Sequence, residues 1–322
     1  MANEVLVASP PVNSSFSTAL PSLQLAIDST SLGAFKECPR KYYYSIVLGY
    51  VPKAESVHLT FGLLLHGGAE RYSRAKARGA SHDEALDAAL DWTLVQSWDK
   101  RLGRPWQSDH PQKNRASLIR TLVWYLDQYG ENDPFQTVLL GNGQPAVELS
   151  FRFDSQYTAL TGEPILFCGH LDRIVEFNDG LFVSDIKTTG NQLGNKFFAQ
   201  FNPNNQFSMY DVACKVAFGT EIDGLIVDGC QIGVNFTRFQ RAPVNRPSAL
   251  REEWYKAQAW WLEQMGLAAV AADWPMNDKS CGNYGGCPYQ DVCSKVPAAR
   301  PRWLAANFTK RIWDPLQVRG DI

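Results

Sequence analysis

The chain has no apolar run approaching the ~20 residues that a membrane-spanning helix needs. Its first residues, Met1-Ala2-Asn3-Glu4-Val5, carry no basic segment leading into an apolar one. A soluble, cytoplasmic protein with no membrane partner is therefore the expectation. Neither sign of charge is in excess, since 31 Lys and Arg stand against 33 Asp and Glu, a formal net charge of -2. Whole-molecule attraction to nucleic acid is thereby excluded, and any DNA contact needs a local basic patch. Cysteine comes as an odd number, seven. A reducing compartment disfavours disulfides, so clustered cysteines read first as metal ligands. What the chain does have is core material: 45% of its 322 residues are hydrophobic, enough for one large globular domain.

The chain is organised around Leu181-Phe182-Val183-Ser184-Asp185-Ile186-Lys187-Thr188-Thr189, a strand with an acid and a base at its end. Side chains alternate along a strand, which puts Asp185 and Lys187 on one side. A carboxylate there can hold a divalent cation while the ammonium faces the attacking water or a phosphate. A surface ion pair is the plain alternative. The preceding strand, Ile165 to Val175, is joined to it by the turn Asn178-Asp179-Gly180. That hairpin brings Asp172 beside Asp185, and two converging carboxylates make a hard-cation site where one does not.

In chain order, residues 1–22 are rich in Ser, Pro and Ala without a period and read as a flexible arm. Residues 23–322 read as one domain. A helix capped at Ser29-Thr30-Ser31 runs through Phe35, Tyr42 and Ile46, with a break at Pro39. A helical part follows over about 57–134, with helices near Thr60–Arg78, His82–Arg101 and Asn114–Glu131. In the first of these His66 and Glu70 lie four apart on one face, and Gly67-Gly68 admit a close approach by another backbone or a ligand. Arg71, Arg74, Lys76 and Arg78 form a basic run that is either solvated or in contact with phosphate. The sheet core spans about 145–240. Its first strand, 146–153, sets Val147, Leu149, Phe151 and Phe153 on one face and Glu148 on the other. A helix from Asn204 to Phe218 carries Gln206 and Tyr210 on one face, and residues 224–236 form a further strand or strand pair. A long helix and a cysteine-bearing tail occupy about 247–295.

That tail places Cys281, Cys287 and Cys293 at equal steps in a Gly-rich loop, a pattern that favours a metal or cluster site. Cys168, Cys214 and Cys230 fall inside apolar elements and read as packing. Cys38 is the remaining candidate for a fourth ligand. The gaps exceed those of tight zinc knuckles and favour an iron-sulfur cluster, with zinc as the alternative.

Together these residues resemble the PD-(D/E)XK nuclease superfamily, and within it the RecB-like exonucleases that carry an iron-sulfur cluster, such as the AddB nuclease domain and the CRISPR-associated RecB-like exonucleases. The motifs stand in the family's order: Cys38, Gly-x-x-x-His-x-x-x-Glu at Gly62 to Glu70, Gly-x-x-Asp at Gly169 to Asp172, Asp-x-Lys at 185 to 187, Gln-x-x-x-Tyr at 206 to 210, and three C-terminal cysteines. The resemblance implies a mixed α/β restriction-endonuclease-like core, a three-strand meander, helix and further strand, with an inserted helical layer and a cluster joining the N- and C-terminal regions. It implies a metal-dependent deoxyribonuclease, an exonuclease of DNA processing, recombination or repair, and leaves open a helicase or recombination protein as partner. It implies that His66, Asp172, Asp185 and the Ile186 carbonyl hold Mg2+ or Mn2+, that Lys187 serves the attacking water, and that Gln206 and Tyr210 position Lys187 or the DNA. Glu70 is expected to hold His66, and Cys38, Cys281, Cys287 and Cys293 a 4Fe-4S cluster. Arg40, Lys41 and Tyr42 are expected near DNA. The chain departs from the family in lacking a closely spaced C-terminal cysteine pair. A catalytically idle DNA-binding subunit and a zinc-stabilised interaction protein are the competing readings.

Overall fold

The structure, a computed structural model, describes residues 6–7, 14–54, 56–219 and 221–317. Of the expected N-terminal arm, residues 1–5 and 8–13 lie outside the described residues. Within 14–22, Ser15 and Ser17 are buried and Phe16 bridges Gln24. The architecture is mixed α/β. The chain divides into two compact units, Met1–Ala54 with Ser150–Gly169 and Pro247–Ile322, and Glu55–Leu149 with His170–Arg246. Among the described residues no helix is long and apolar enough to cross a membrane.

The second unit begins with three helices, each started by a side-chain cap. Ser56 accepts from the Leu59 N–H ahead of helix Val57–Ala77, Ser81 and Glu84 form a capping box ahead of His82–Gln96, and Asn114 and Ser117 do so ahead of Arg115–Tyr129. Such caps satisfy N–H groups that the first turn leaves without partners. Phe61, Leu65, Leu118 and Leu122 from these helices are fully buried together, with Trp92 and Ile186 packed against them. The second helix ends at Gln96 rather than near Arg101, because Trp98–Asp99 turns back and pairs antiparallel with Arg104–Pro105. Gly67 and Gly68 do admit a close neighbour, and it is protein: a Cβ at Gly67 would stand 2.0 Å from the Trp92 ring and one at Gly68 2.6 Å from Thr93 Oγ1.

The sheet of this unit is built on strand Gly180–Thr189. On one side it pairs antiparallel with Pro164–Phe177, setting Arg173 opposite Ser184 and Phe177 opposite Gly180. The connecting turn has Asn178 and Asp179 at φ of 48° and 60°, the left-handed values that a two-residue hairpin turn demands. On the other side it pairs parallel with Gly224–Ile232, setting Val227 opposite Asp185. Parallel neighbours need a crossover connection, and helix Asn205–Phe218 lies within it. Gly224–Ile232 then pairs antiparallel with Thr237–Val244, so the expected strand pair extends beyond residue 236. Asp228, fully buried, accepts from Tyr125 Oη at 2.7 Å and from Arg241 Nε at 2.8 Å, while Arg241 also grips both oxygens of Asp133. Asp133 and Asp228 are therefore both paired with the Arg241 guanidinium, which offsets their burial in a low-dielectric interior.

In the first unit, helix Ser29–Glu37 starts at an Asp28–Ser31 capping box, and Pro39 opens the short helix Pro39–Tyr42. Cys38 stands extended between them, φ -163° and ψ 113°. The break falls there because proline supplies no N–H and disfavours a helical residue before it. The long helix Ser248–Ala271 and the short tail segments Asp278–Ser280 and Gln290–Cys293 complete the elements that matter below. Tyr44, Tyr289, Val292, Leu304 and Phe308 form their own buried cluster.

Because Gly67 is filled by the Trp92 ring, Gly67→Ala is expected to lower the unfolding free energy by ~1–3 kcal/mol, the usual range for overpacking. Urea denaturation checks it, and an unchanged midpoint would mean that the two helices separate without cost.

Candidate active site

The end of strand Gly180–Thr189 collects the side chains. Asp185 is fully buried and Lys187 is partly exposed, with the ammonium 2.6 Å from Asp185 Oδ2. Lys187 Nζ also donates to Gln206 Oε1 at 2.9 Å, and Gln206 Nε2 donates to Tyr210 Oη at 2.7 Å. The four-residue spacing on helix Asn205–Phe218 puts Gln206 and Tyr210 on one face, from which Gln206 reaches Lys187 and is itself hydrogen-bonded to Tyr210. The Phe207 ring lies 5.7 Å from the same ammonium.

Helix Val57–Ala77 supplies His66. Its Nε2 lies 2.8 Å from the Ile186 carbonyl oxygen and its Nδ1 3.0 Å from Asp172 Oδ2, and the Ile186 N–H donates to that same Asp172 oxygen at 3.3 Å. His66, Asp172 and the Ile186 backbone are therefore in direct contact, and Asp185 is the residue just before Ile186, its carboxylate paired with Lys187. Glu70 is not where it was expected. Its carboxylate accepts from Arg74 Nε at 2.7 Å, and Arg74 Nη2 donates to the Val147 carbonyl at 3.1 Å. Asp172 and the Ile186 carbonyl orient His66 instead. Arg74 itself is 6% exposed and engaged, which removes it from the expected phosphate-contacting run.

Glu148 was missed in the sequence. It is buried, at φ 50°, and one of its carboxylate oxygens lies within 4.8 Å of ligand atoms of both His66 and Asp172. A left-handed conformation at a residue with a side chain costs on the order of 1–3 kcal/mol and persists where the surroundings enforce it. Here the Arg74 bond to the adjacent Val147 carbonyl is one such enforcement. The sequence signal, a lone Glu in an apolar strand, was visible; its direction was not, because regular alternation fails at that φ.

The charges explain one another. Burial pushes the Asp185 carboxyl above its usual range, and the Asp172 charge adds to it, against Lys187 and His66. Burial would raise Asp172 as well, but the His66 imidazolium, by charge and by hydrogen bond, holds it below the usual range. Burial lowers His66, and Asp172 more than reverses this, raising it to about 9. Two buried carboxylates thus share a histidine proton and a lysine. Asp185 Oδ1 accepts no hydrogen bond among the described residues, although a buried carboxylate oxygen is costly without a partner. His66, Glu148 and Asp172 converge with ligand atoms within 4.8 Å of one another, an imidazole and two carboxylates that suit Mg2+ or Mn2+.

Residues 29–294 match the PD-(D/E)XK nuclease superfamily. The chain belongs to that superfamily. Among curated proteins there is no match. Among solved structures, a candidate exonuclease from Eubacterium rectale is similar over 89% of this chain and 99% of its own, at 10% identity and a TM-score of 0.47. The protein SSO0001 is similar over 84% and 87%, at 12% identity and a TM-score of 0.34.

The remaining expected residues of this nuclease-superfamily chain lie in the other unit. Tyr42 is 1% exposed and donates its hydroxyl to Gln24, so it is core and not a base-stacking surface. Arg40 donates to the Trp274 carbonyl, and Lys41 pairs with Glu37. Cys38 Sγ accepts from the Asn277 N–H at 3.4 Å, Cys281 Sγ lies 4.0 Å from the Asn277 oxygen, and the Cys287 N–H donates to the Cys281 carbonyl at 2.7 Å. Burial raises the Cys287 and Cys293 thiols, and Cys38 adds to both. Cys38, Cys281, Cys287 and Cys293 therefore lie in one neighbourhood, without any three of their sulfurs within 4.8 Å of one another among the described residues, and Cys287 and Cys293 also pack against the Tyr44–Tyr289 cluster. Cys168, Cys214 and Cys230 are buried elsewhere.

Glu148→Gln and Asp172→Ala are each expected to weaken Mn2+ binding by at least ~10-fold, the loss that even an outer partner of a metal site causes. Calorimetry measures it, and unchanged affinity in Glu148→Gln would take that carboxylate out of the site.

Proposed function

We propose that the protein is a divalent-metal-dependent nuclease that hydrolyses phosphodiester bonds in DNA, as an exonuclease of DNA processing, recombination or repair. The observation that carries the reading is the convergence of His66, Glu148 and Asp172, with His66 also on the Ile186 carbonyl and the Asp185–Lys187 pair on the same strand end. Mg2+ or Mn2+ held by His66, Asp172, Asp185, Glu148 and that carbonyl would supply a Lewis acid that makes water a nucleophile at neutral pH and offsets phosphate charge. The chain's own groups do the rest. Lys187, steered by Gln206 and Tyr210, places a positive charge beside Asp185, where it orients the attacking water and neutralises a phosphate oxygen. Water adds at phosphorus as the phosphorus–oxygen ester bond breaks, leaving a phosphate monoester and a free hydroxyl. The Ile186 carbonyl keeps the imidazole in register by accepting from Nε2, so that Nδ1, without the proton it shares with Asp172, is the nitrogen that would face a cation, and the rigid strand end fixes the distances on which the displacement depends.

The narrower assignment to exonuclease action is supported by the resemblance to RecB-like enzymes, as is a 4Fe-4S cluster on Cys38, Cys281, Cys287 and Cys293. What supports such a group is that Cys38 from the N-terminal segment lies near the tail cysteines while the other three cysteines are buried elsewhere. Its job there is structural, joining the Cys38 turn to the C-terminal loop, with metal-thiolate bonding offsetting the ordering of a long chain closure.

Purified protein with Mn2+ is expected to degrade end-labelled linear DNA and spare a closed circle. Asp185→Asn and Lys187→Ala are each expected to abolish cleavage, by at least ~10²-fold, while circular dichroism stays native. Wild-type rates in either variant would overturn the assignment. Iron analysis separates the two cysteine sets. Ala substitution at 38, 281, 287 or 293 should lower iron content and expose the first unit to protease, whereas Cys168→Ala, Cys214→Ala and Cys230→Ala should retain iron. A colourless zinc protein would replace the cluster with zinc.

A further inference from the structure

Lys113 is 5% exposed, and among the described residues its ammonium meets the Thr188 hydroxyl, at 3.0 Å, and the Phe61 ring, at 5.5 Å. No carboxylate of the described residues comes within 4.0 Å of it. A buried cation without a counter-ion is costly. Two imidazoles stand beside it rather than acids. The His58 and His110 rings meet edge to face at 5.1 Å. His110 Nδ1 accepts the N–H groups of Gln112 and Lys113, at 3.2 and 3.1 Å, so the ring proton sits on Nε2 and makes that atom a donor. Burial lowers the lysine, and burial, Lys113 and His110 together lower His58, each charge disfavoured by the next.

We propose that Lys113, His58 and His110 form an anion site that holds a phosphate of the nucleic-acid strand other than the one being cleaved. The proposal depends on the nuclease reading for its ligand and goes beyond it in assigning the site. An ammonium with protons to spare near a pair of imidazoles matches the oxygens of a phosphate. Position agrees with that assignment. Thr188 is two residues beyond Ile186, ~7 Å along a strand, and His58 is eight residues before His66, ~12 Å along a helix. One phosphate does not span that separation, so the strand must present another. His58, Gly62 and His66 share a helix stripe, and nothing lies within 4 Å of where a Gly62 Cβ would stand. A strand can therefore run along the helix from one site to the other. Gln112, donating to the Gly190 carbonyl at 3.4 Å, ties the 110–113 segment to the chain just past Thr189.

The test uses the full chain carrying Asp185→Asn, so that DNA is bound and not degraded, with oligonucleotides bearing a 5′-phosphate or a 5′-hydroxyl. Adding Lys113→Met is expected to weaken binding about tenfold and to reduce the slope of log affinity against log salt by about one, the signature of one lost phosphate contact. Lys113→Arg should restore the slope. In the otherwise wild-type enzyme, Lys113→Met should raise KM with little change in kcat. A loss that requires the 5′-phosphate assigns a terminal phosphate, and a loss indifferent to it assigns a phosphodiester; either upholds the site. His58→Gln, at a partly exposed helix position, gives a second variant that does not disturb the core and should weaken binding in the same direction. Independently of DNA, inorganic phosphate should shift the imidazole NMR signals of His58 and His110 and leave His82 unmoved. Cleavage by the wild type together with unchanged salt slopes in both variants would overturn this site alone. Absence of any DNA binding would overturn the nuclease reading, and with the phosphate shifts also absent, the anion site too.

Discussion

Two carboxylates buried side by side are the constraint around which the second unit is arranged. Asp172 and Asp185 cannot both be ionised in a low-dielectric strand end unless positive charge is brought to them. His66 and Lys187 bring it from opposite directions, one from the helix before the sheet and one from within the strand itself. Each then needs holding. Asp172 and the Ile186 carbonyl hold the imidazole, and Gln206 and Tyr210 hold the ammonium. The helix, the hairpin and the crossover thus meet at one point for an electrostatic reason.

Glu148 adds a third carboxylate where two were already expensive. It is held there by a backbone conformation that an L side chain rarely adopts, beside a buried Arg74–Glu70 pair that grips the neighbouring carbonyl. Such strain concentrates at sites where geometry has a use, and a divalent cation is the simplest group that makes three converging carboxylates favourable. The same accounting of buried charge singles out Lys113. The Asp133–Arg241–Asp228 brace closes on itself, whereas the Lys113 ammonium is left with a hydroxyl and a ring.

The cysteines divide along the same line between packing and chemistry. Cys168, Cys214 and Cys230 are small hydrophobes in strands and a helix, while Cys38 stands at a helix break that Pro39 enforces, with the tail cysteines around it. An extended residue between two helices is well placed to turn its side chain outward from both.

The sequence by itself determined the order of elements, the hairpin that sets Asp172 near Asp185, the shared helix face of Gln206 and Tyr210 and the cysteines that fall inside apolar elements. All of these follow from local periodicity, turn chemistry and spacing along one helix or strand, which act over a few residues. Tertiary structure alone decided the rest. Glu70 turned to Arg74 because a guanidinium one helical turn away outcompetes an imidazole already engaged by Asp172. Tyr42 went to the core because its ring fills space among Phe35 and Trp274. Glu148 and Lys113 were invisible as site residues, since their roles come from backbone angles and neighbours far away in the chain. A charge's meaning depends on what is buried beside it, and the sequence does not carry that distance.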